Sequence, residues 1–314
     1  MFDPGDPRAG LAPIDSSSVP APMGYAGGEY VRFRDVDPVE EAADCRTWFV
    51  RGQNFVVAYS EVQRGARFAR AGQLDEWVLL LPGGRTRARV TVGGGQETLV
   101  EGHSLVIMPP GDSEVEALGD GQLVRLFTSC SGDLASGAVN ASSYEHPHPN
   151  VGLVDRWPPP VDGFRVRVYS LDVPREEGRF GRIWRCTTFM VNYLEPTVGP
   201  RDTTKMSPHA HADFEQCSLA LSGDYVHHVR WPWTTDLSAW RPDDHESCPA
   251  PSVAVIPPPA VHTSQAVGAG VNQLVDIFCP PRVDFSGKPG WVLNSGEYPG
   301  LEPTEPIENH DHDH

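Results

Sequence analysis

An all-β chain built as two related barrels is the fold this sequence predicts. Three observations carry that expectation: abundant turn formers, short apolar runs, and a set of segments that occurs twice. The 314 residues include 31 Gly and 31 Pro, which favour tight turns and end helices. Short strands are therefore expected in place of long helices. Runs at 77–81, 87–92 and 104–108 in the first half, and at 186–193, 217–221, 225–229 and 252–256 in the second, fit strands bounded by Gly, Pro and Asp turns.

The duplication is visible in three segments kept in order. Asp75-Glu76 before an apolar run is matched by Phe214-Glu215, Ser104-Leu105-Val106-Ile107-Met108-Pro109-Pro110 by Ser252-Val253-Ala254-Val255-Ile256-Pro257-Pro258, and Gln122-Leu123-Val124-Arg125-Leu126-Phe127 by Gln273-Leu274-Val275-Asp276-Ile277-Phe278. The offset grows from about 139 to about 151 residues, so the second copy carries an insertion. A period this long marks duplicated domains and not a solenoid. The expected organisation is a flexible arm over 1–28, a metal-free N-terminal barrel over 29–140, a linker over 141–165, a metal-binding C-terminal barrel over 166–299 and an acidic tail over 300–314. His146-Pro147-His148 falls in the linker. Its two flanking prolines oppose sheet pairing, so it is not read as a ligand pair.

A net charge of −17 opposes nucleic acid and anionic membranes as main partners. No apolar run approaches the roughly 20 residues a membrane helix needs, and the N-terminus shows no secretory pattern. The six cysteines (Cys45, Cys130, Cys186, Cys217, Cys248 and Cys279) include no CxxC pair and read as reduced thiols. A cytoplasmic protein acting on a small molecule is expected, with a homodimer allowed.

The chemistry concentrates in Ser207-Pro208-His209-Ala210-His211-Ala212-Asp213-Phe214-Glu215. Alternate residues of a strand share a face, so His209, His211 and Glu215 would point to one side if the strand were continuous. Two imidazoles and a carboxylate suit a divalent ion. Beyond Gly223, the run Pro257-Pro258-Pro259-Ala260-Val261-His262 offers a fourth donor in His262. The ordinary alternative, histidines serving only packing or solvation, would need three of only twelve to fall by chance into this pattern.

The pattern HxHx3Ex7G followed by PxPxxH resembles the two motifs of the cupin superfamily, which run as HxH, a Glu three or four residues on, a Gly, and later PxGxxH. Pro259 stands where the family prefers Gly, and the gap between motifs is long, holding an insert from Trp231 to Glu246 read as a loop or lid. The resemblance implies a bicupin of two double-stranded β-helix (jelly-roll) barrels, with one divalent metal per chain held by His209, His211, Glu215 and His262. Fe(II) is the favoured ion, with Zn, Mn and Ni as alternatives. In the first barrel, Arg70 and Gly72 align with His209 and His211, and Glu114 with His262, so no comparable shell forms there.

Near the motif, His227 and His228 are neighbours of which one faces inward. Arg230 and Lys205 are candidates to receive an anionic substrate group, against the plain alternative of solvated charges. Glu215, His227, His228 and Arg230 make up the candidate catalytic set. Trp231, Trp233 and Trp240 are candidates to cover the pocket. Gln273 and Asp276 follow on the strand after His262.

The first functional expectation is a non-haem Fe(II) dioxygenase for a small hydroxylated or keto substrate, with Glu215 loosening from the metal to act as base. It follows a resemblance to the flavonol-cleaving bicupins. A Zn- or Mn-dependent isomerase or lyase of a sugar acid or keto acid is the alternative, similar to the 5-keto-4-deoxyuronate isomerases. Oxalate-type decarboxylases tend to keep metal motifs in both barrels and fit less well. A non-catalytic small-molecule-binding cupin is the third expectation.

Overall fold

The computed structural model describes residues 24–301. Most of the expected arm and tail lies outside the described residues. Between them the chain is almost wholly β, with only two short α-helices, Gly132–Ser136 and Val283–Ser286. Four sheets form two jelly-roll barrels, each pairing a seven-stranded sheet with a smaller one of four or three strands.

Alternation decides what each strand faces. In Gln216–Ser222, Cys217, Leu219 and Leu221 join the largest apolar core, whereas Gln216, Ser218 and Ala220 point the other way, into the second barrel. That core lies between the two large sheets, where Val57, Tyr59, Leu80, Ile107 and Leu126 of the first meet Leu219, Val253, Val255 and Ile277 of the second. Each such side chain, buried, contributes about 1.5–3 kcal/mol of hydrophobic stabilisation. Burial on both faces explains why these strands read as continuous apolar runs.

The barrels also exchange edge strands. Glu29–Arg32 pairs antiparallel with Ser252–Ile256 of the second barrel's sheet, and Arg167–Ser170 pairs with Ser104–Met108 of the first. Each strand thus hydrogen-bonds outside the barrel to which its sequence position suggested it would belong. Phe33, fully buried and stacked on Tyr59 with centroids 4.6 Å apart, anchors the crossing of the first strand.

The two interiors differ in chemistry. The first barrel's inner faces carry Val56, Trp77, Leu79, Val90, Met108 and Phe127 among others. The second has separate apolar clusters around Tyr225, Val229 and Phe278, and it buries Gln216, Ser218, His227, His262 and Asp276. Its turn at Gly223 has φ +83°, and a Cβ there would lie 2.1 Å from Asn272 Oδ1, so glycine is required.

Candidate metal centre

His209 and His262 are joined before their side chains are considered. Their backbones exchange two hydrogen bonds, His209 N to His262 O at 3.1 Å and His262 N to His209 O at 2.8 Å. This bridge places both imidazoles on one face, and His211, two residues on, joins them. The ring centroids lie 4.5 Å apart for His209–His262 and 5.1 Å apart for the other two pairs. One ligating atom from each of the three falls within 4.8 Å of the others. The structure therefore brings together the three histidines that the motif singled out.

Glu215 is elsewhere. The chain bends at Ala212-Asp213 before Gln216–Ser222 begins, so the parity carried from His209 and His211 is lost. Glu215 takes the orientation of Cys217 and Leu219, toward the other barrel. Its Oε2 accepts from Gln53 N at 2.6 Å, and its Oε1 meets Tyr144 OH and His148 Nδ1, each at 3.1 Å. Glu76, its counterpart in the duplication, is held the same way, by Thr187 N at 3.0 Å, Thr187 Oγ1 at 2.8 Å and Tyr298 OH at 2.8 Å. A carboxylate with the same task in both barrels, one of which lacks the histidines, is a latch between halves. The expected ligand and base role of Glu215 is corrected accordingly.

The fourth group at the centre is Gln216, which the motif did not single out. Its Oε1 lies 2.9 Å from His211 Nε2, 3.1 Å from His262 Nε2 and 3.4 Å from His209 Nε2. Donors at about 2.0–2.2 Å from one ion stand apart by similar distances. The amide is oriented from behind: its Nε2 donates to Ser218 Oγ at 3.1 Å and to Asp276 Oδ1 at 3.3 Å, leaving the oxygen to face the imidazoles. The carbonyls of Ser207 and Ala260, each 2.9 Å from Nδ1 of His209 and His262 respectively, place those protons on Nδ1. Two Nε2 lone pairs and an amide oxygen then confront one another.

For His211 and His262, protonation at neutral pH is disfavoured. Burial, with Arg282 and the neighbouring histidines, pushes His211 well below the usual imidazole range. Burial likewise takes His262 down to about 4, although its bond to Ala260 opposes the shift. Three converging imidazoles and an amide oxygen, with His211 and His262 held unprotonated, fit a cation, and an N3O donor set suits Fe, Mn, Zn or Ni.

A cavity of about 540 Å³ reaches His209, Gln216 and Asp276, with Tyr225, Ala266 and Leu274 as apolar wall and Arg175, Arg179 and Arg201 among its other lining residues. Of the expected catalytic set, only His227 faces inward. It is fully buried, its Nδ1 is 2.9 Å from Ser264 Oγ, and its Nε2 has no partner. Burial first, and then proximity to His262, lowers it to about 3.

His228 faces outward, 2.7 Å from His245 and 2.9 Å from Gln265. Arg230 is 74% exposed and paired with Asp243. Alternation along Asp224–Arg230 puts both on the solvent side, which corrects their expected place in the pocket. Lys205 is exposed. Gln273 spends its amide on backbone carbonyls. Trp231 is buried against Tyr25, while Trp233 and Trp240 stack on each other at 4.3 Å. None of these tryptophans lines the cavity.

Fold and site together define the class: a protein of the two-barrel cupin fold with a three-histidine cluster in the second barrel. Solved structures of similar fold include the oxalate decarboxylase of Lactobacillus farciminis as a formate complex (14% identity, 83% of this chain and 88% of that one, TM-score 0.54). Others are a tryptophan-to-tyrosine variant of the Bacillus subtilis oxalate decarboxylase (14%, 82% and 79%, 0.52) and AerE of Microcystis aeruginosa (7%, 82% and 99%, 0.51). At these identities the likeness shows the fold. No family model and no curated protein sequence matches the chain. Among the described residues, no helix is long and apolar enough to cross a membrane.

Proposed function

We propose that this chain is a metal-dependent enzyme, holding one divalent ion between His209, His211, His262 and Gln216 Oε1 and acting on a small hydroxylated or keto organic substrate, with Fe(II)-dependent dioxygenation as the first reading. The observation that carries it is the convergence of three imidazoles on Gln216 Oε1, which a cation would reconcile. When bound, the ion would supply Lewis-acid and redox chemistry toward a substrate oxygen and dioxygen.

The chain's own residues do the rest. Ser207 and Ala260 hold two imidazoles in the ligating tautomer, and Asp276 with Ser218 aims the amide oxygen. All four donors are neutral, so the ion's charge is undiminished and an anionic enol, phenol or acid oxygen is attracted to it. Tyr225, Ala266 and Leu274 supply apolar wall that excludes water. The carboxylate of Asp276 accepts from Ser218 Oγ and from the Gln216 amide and is occupied as an orienting group, which favours a substrate that ionises on binding.

One observation favours a redox-neutral lyase or isomerase instead. The unpartnered Nε2 of His227, near His262, offers a neutral hydrogen-bonding group beside the centre, and structures of similar fold include oxalate decarboxylases. Metal content and oxygen uptake separate the two readings. Protein from iron-supplemented cells is expected to carry near-stoichiometric iron and to consume oxygen with catechols, hydroxy acids or diketones. His209→Ala should lose both. Zinc or manganese with oxygen-independent turnover would move the reading to the second, and full metal in His209→Ala would end both.

A further inference from the structure

Register carries each position of the metal cluster onto one in the first barrel. Gln216 pairs with Ile256, Ser218 with Asp276, and His262 with both Val229 and His209. In the first barrel Trp77 pairs with Met108, Leu79 with Arg125, and Ser113 with both Val92 and Arg70. Trp77 thus stands for Gln216, Arg125 for Asp276, Ser113 for His262 and Arg70 for His209. The register shift between Gly111 and Ser113 is why Ser113, and not the Glu114 that the sequence aligned there, occupies the place of His262. Glu114 instead faces Arg67 on the surface.

The exchange inverts the chemistry. Where the second barrel collects acceptors, the first collects donors, and these are unsatisfied. Trp77 Nε1, Ser113 Oγ, and Nε and Nη2 of Arg125 are all buried without a hydrogen-bond partner. Their residues are 1%, 8% and 5% exposed. The Arg125 guanidinium lies 4.0 Å from the centroid of Phe68, a face that offsets part of its charge but accepts no conventional hydrogen bond. Arg70 adds a second guanidinium over Phe127 at 5.3 Å. Its charge is paired with Asp133 at the surface, where the Arg70 side chain is 15% exposed. A buried guanidinium with free N–H groups is costly unless an anion meets it, and the geometry of its fork matches a carboxylate.

We propose that the first barrel binds a small carboxylate anion at Arg125, with Ser113 Oγ and Trp77 Nε1 as further donors, in the place that corresponds to the metal centre of the second. The site is independent of the catalytic reading, because none of these residues touches the histidine cluster.

The test is calorimetric titration of the metal-loaded full-length chain with formate and acetate, with chloride as control. Wild type and Arg125→Met are compared at equal metal content, so that carboxylate binding to the metal cancels. The expected result is one carboxylate site per chain in wild type beyond any in Arg125→Met, at least about tenfold weaker in Ser113→Ala, as loss of a charge-assisted hydrogen bond implies. Identical titrations for wild type and Arg125→Met would overturn the proposal, as would an equal response to chloride. Should Arg125→Met fail to fold, Ser113→Ala decides: unchanged carboxylate affinity in that variant overturns it.

Discussion

Of two adjacent residues, Gln216 stands at the histidine cluster where Glu215 was expected as ligand, and Glu215 has a different task. Glu215 holds the barrels together through Gln53, Tyr144 and His148, while Gln216 faces the three imidazoles. Their substitutions should therefore separate stability from metal binding. Gln216→Ala is expected to weaken metal affinity by about tenfold or more with a minor effect on unfolding, since one ligand and its oriented amide are lost. Glu215→Ala should leave affinity near wild type and cost about 2–4 kcal/mol in chemical denaturation, because three buried or half-buried donors lose their acceptor. Metal titration and denaturation of both variants check this, and the reverse pattern would restore Glu215 as ligand. Gly52 supports the latch: a Cβ there would sit 2.6 Å from Glu215 Oε2.

Strands and their turns set which donors meet. Gln216–Ser222 and Asp224–Arg230 are joined at Gly223, whose positive φ is strained for any residue with a Cβ. Asn272 fills the space beside it and accepts from Asp224 N at 3.2 Å. Gly223→Ala is expected to destabilise the second barrel by about 1–3 kcal/mol, read as a lower urea midpoint at unchanged slope. An unaltered midpoint would show that the turn adapts. Strand continuity also explains why the motif was only partly legible. His209 and His211 keep their alternation and were found by spacing, whereas the bend at Ala212-Asp213 reset it, so that the next inward side chain is Gln216. In Asp224–Arg230, unbroken alternation put His227 inward and His228 outward, but which of the two it would be depended on the register with Val261–Ala266.

At the scale of the whole molecule the two barrels share one core and a reciprocal pair of latches, so their stabilities should be coupled. The Glu215 latch is pH-dependent through His148. Burial works to lower this imidazole, yet hydrogen bonds to Glu215 and to the Ser143 carbonyl outweigh it and leave it raised. Both ring nitrogens face acceptors, so the charged form is the one the fold prefers. A raised folded value means that the stabilisation is complete below the unfolded value near 6.5 and fades as pH rises through the folded one. The stability difference between wild type and His148→Gln, followed by thermal melting from about pH 5.5 to about pH 8.5, should be largest at the acid end. A difference that is flat or grows with pH would remove His148 from the latch.

What the sequence determined by itself was local or periodic: a β-rich duplicated chain, a turn at Gly223, three histidines in a two-part motif, and a first barrel without them. Turn chemistry and period-two patterning act over a few residues, and the duplication is legible because both copies are present for comparison. The tertiary structure alone decided that Gln216 replaces Glu215 at the centre, that Glu29–Arg32 and Arg167–Ser170 cross to the opposite barrels, and that Ser113 and Arg125 are both buried inside the first. Each of these depends on a bend, a bulge or an edge-strand pairing between residues far apart in the chain. A shift of one residue there exchanges the two faces of a strand, and no local pattern records it.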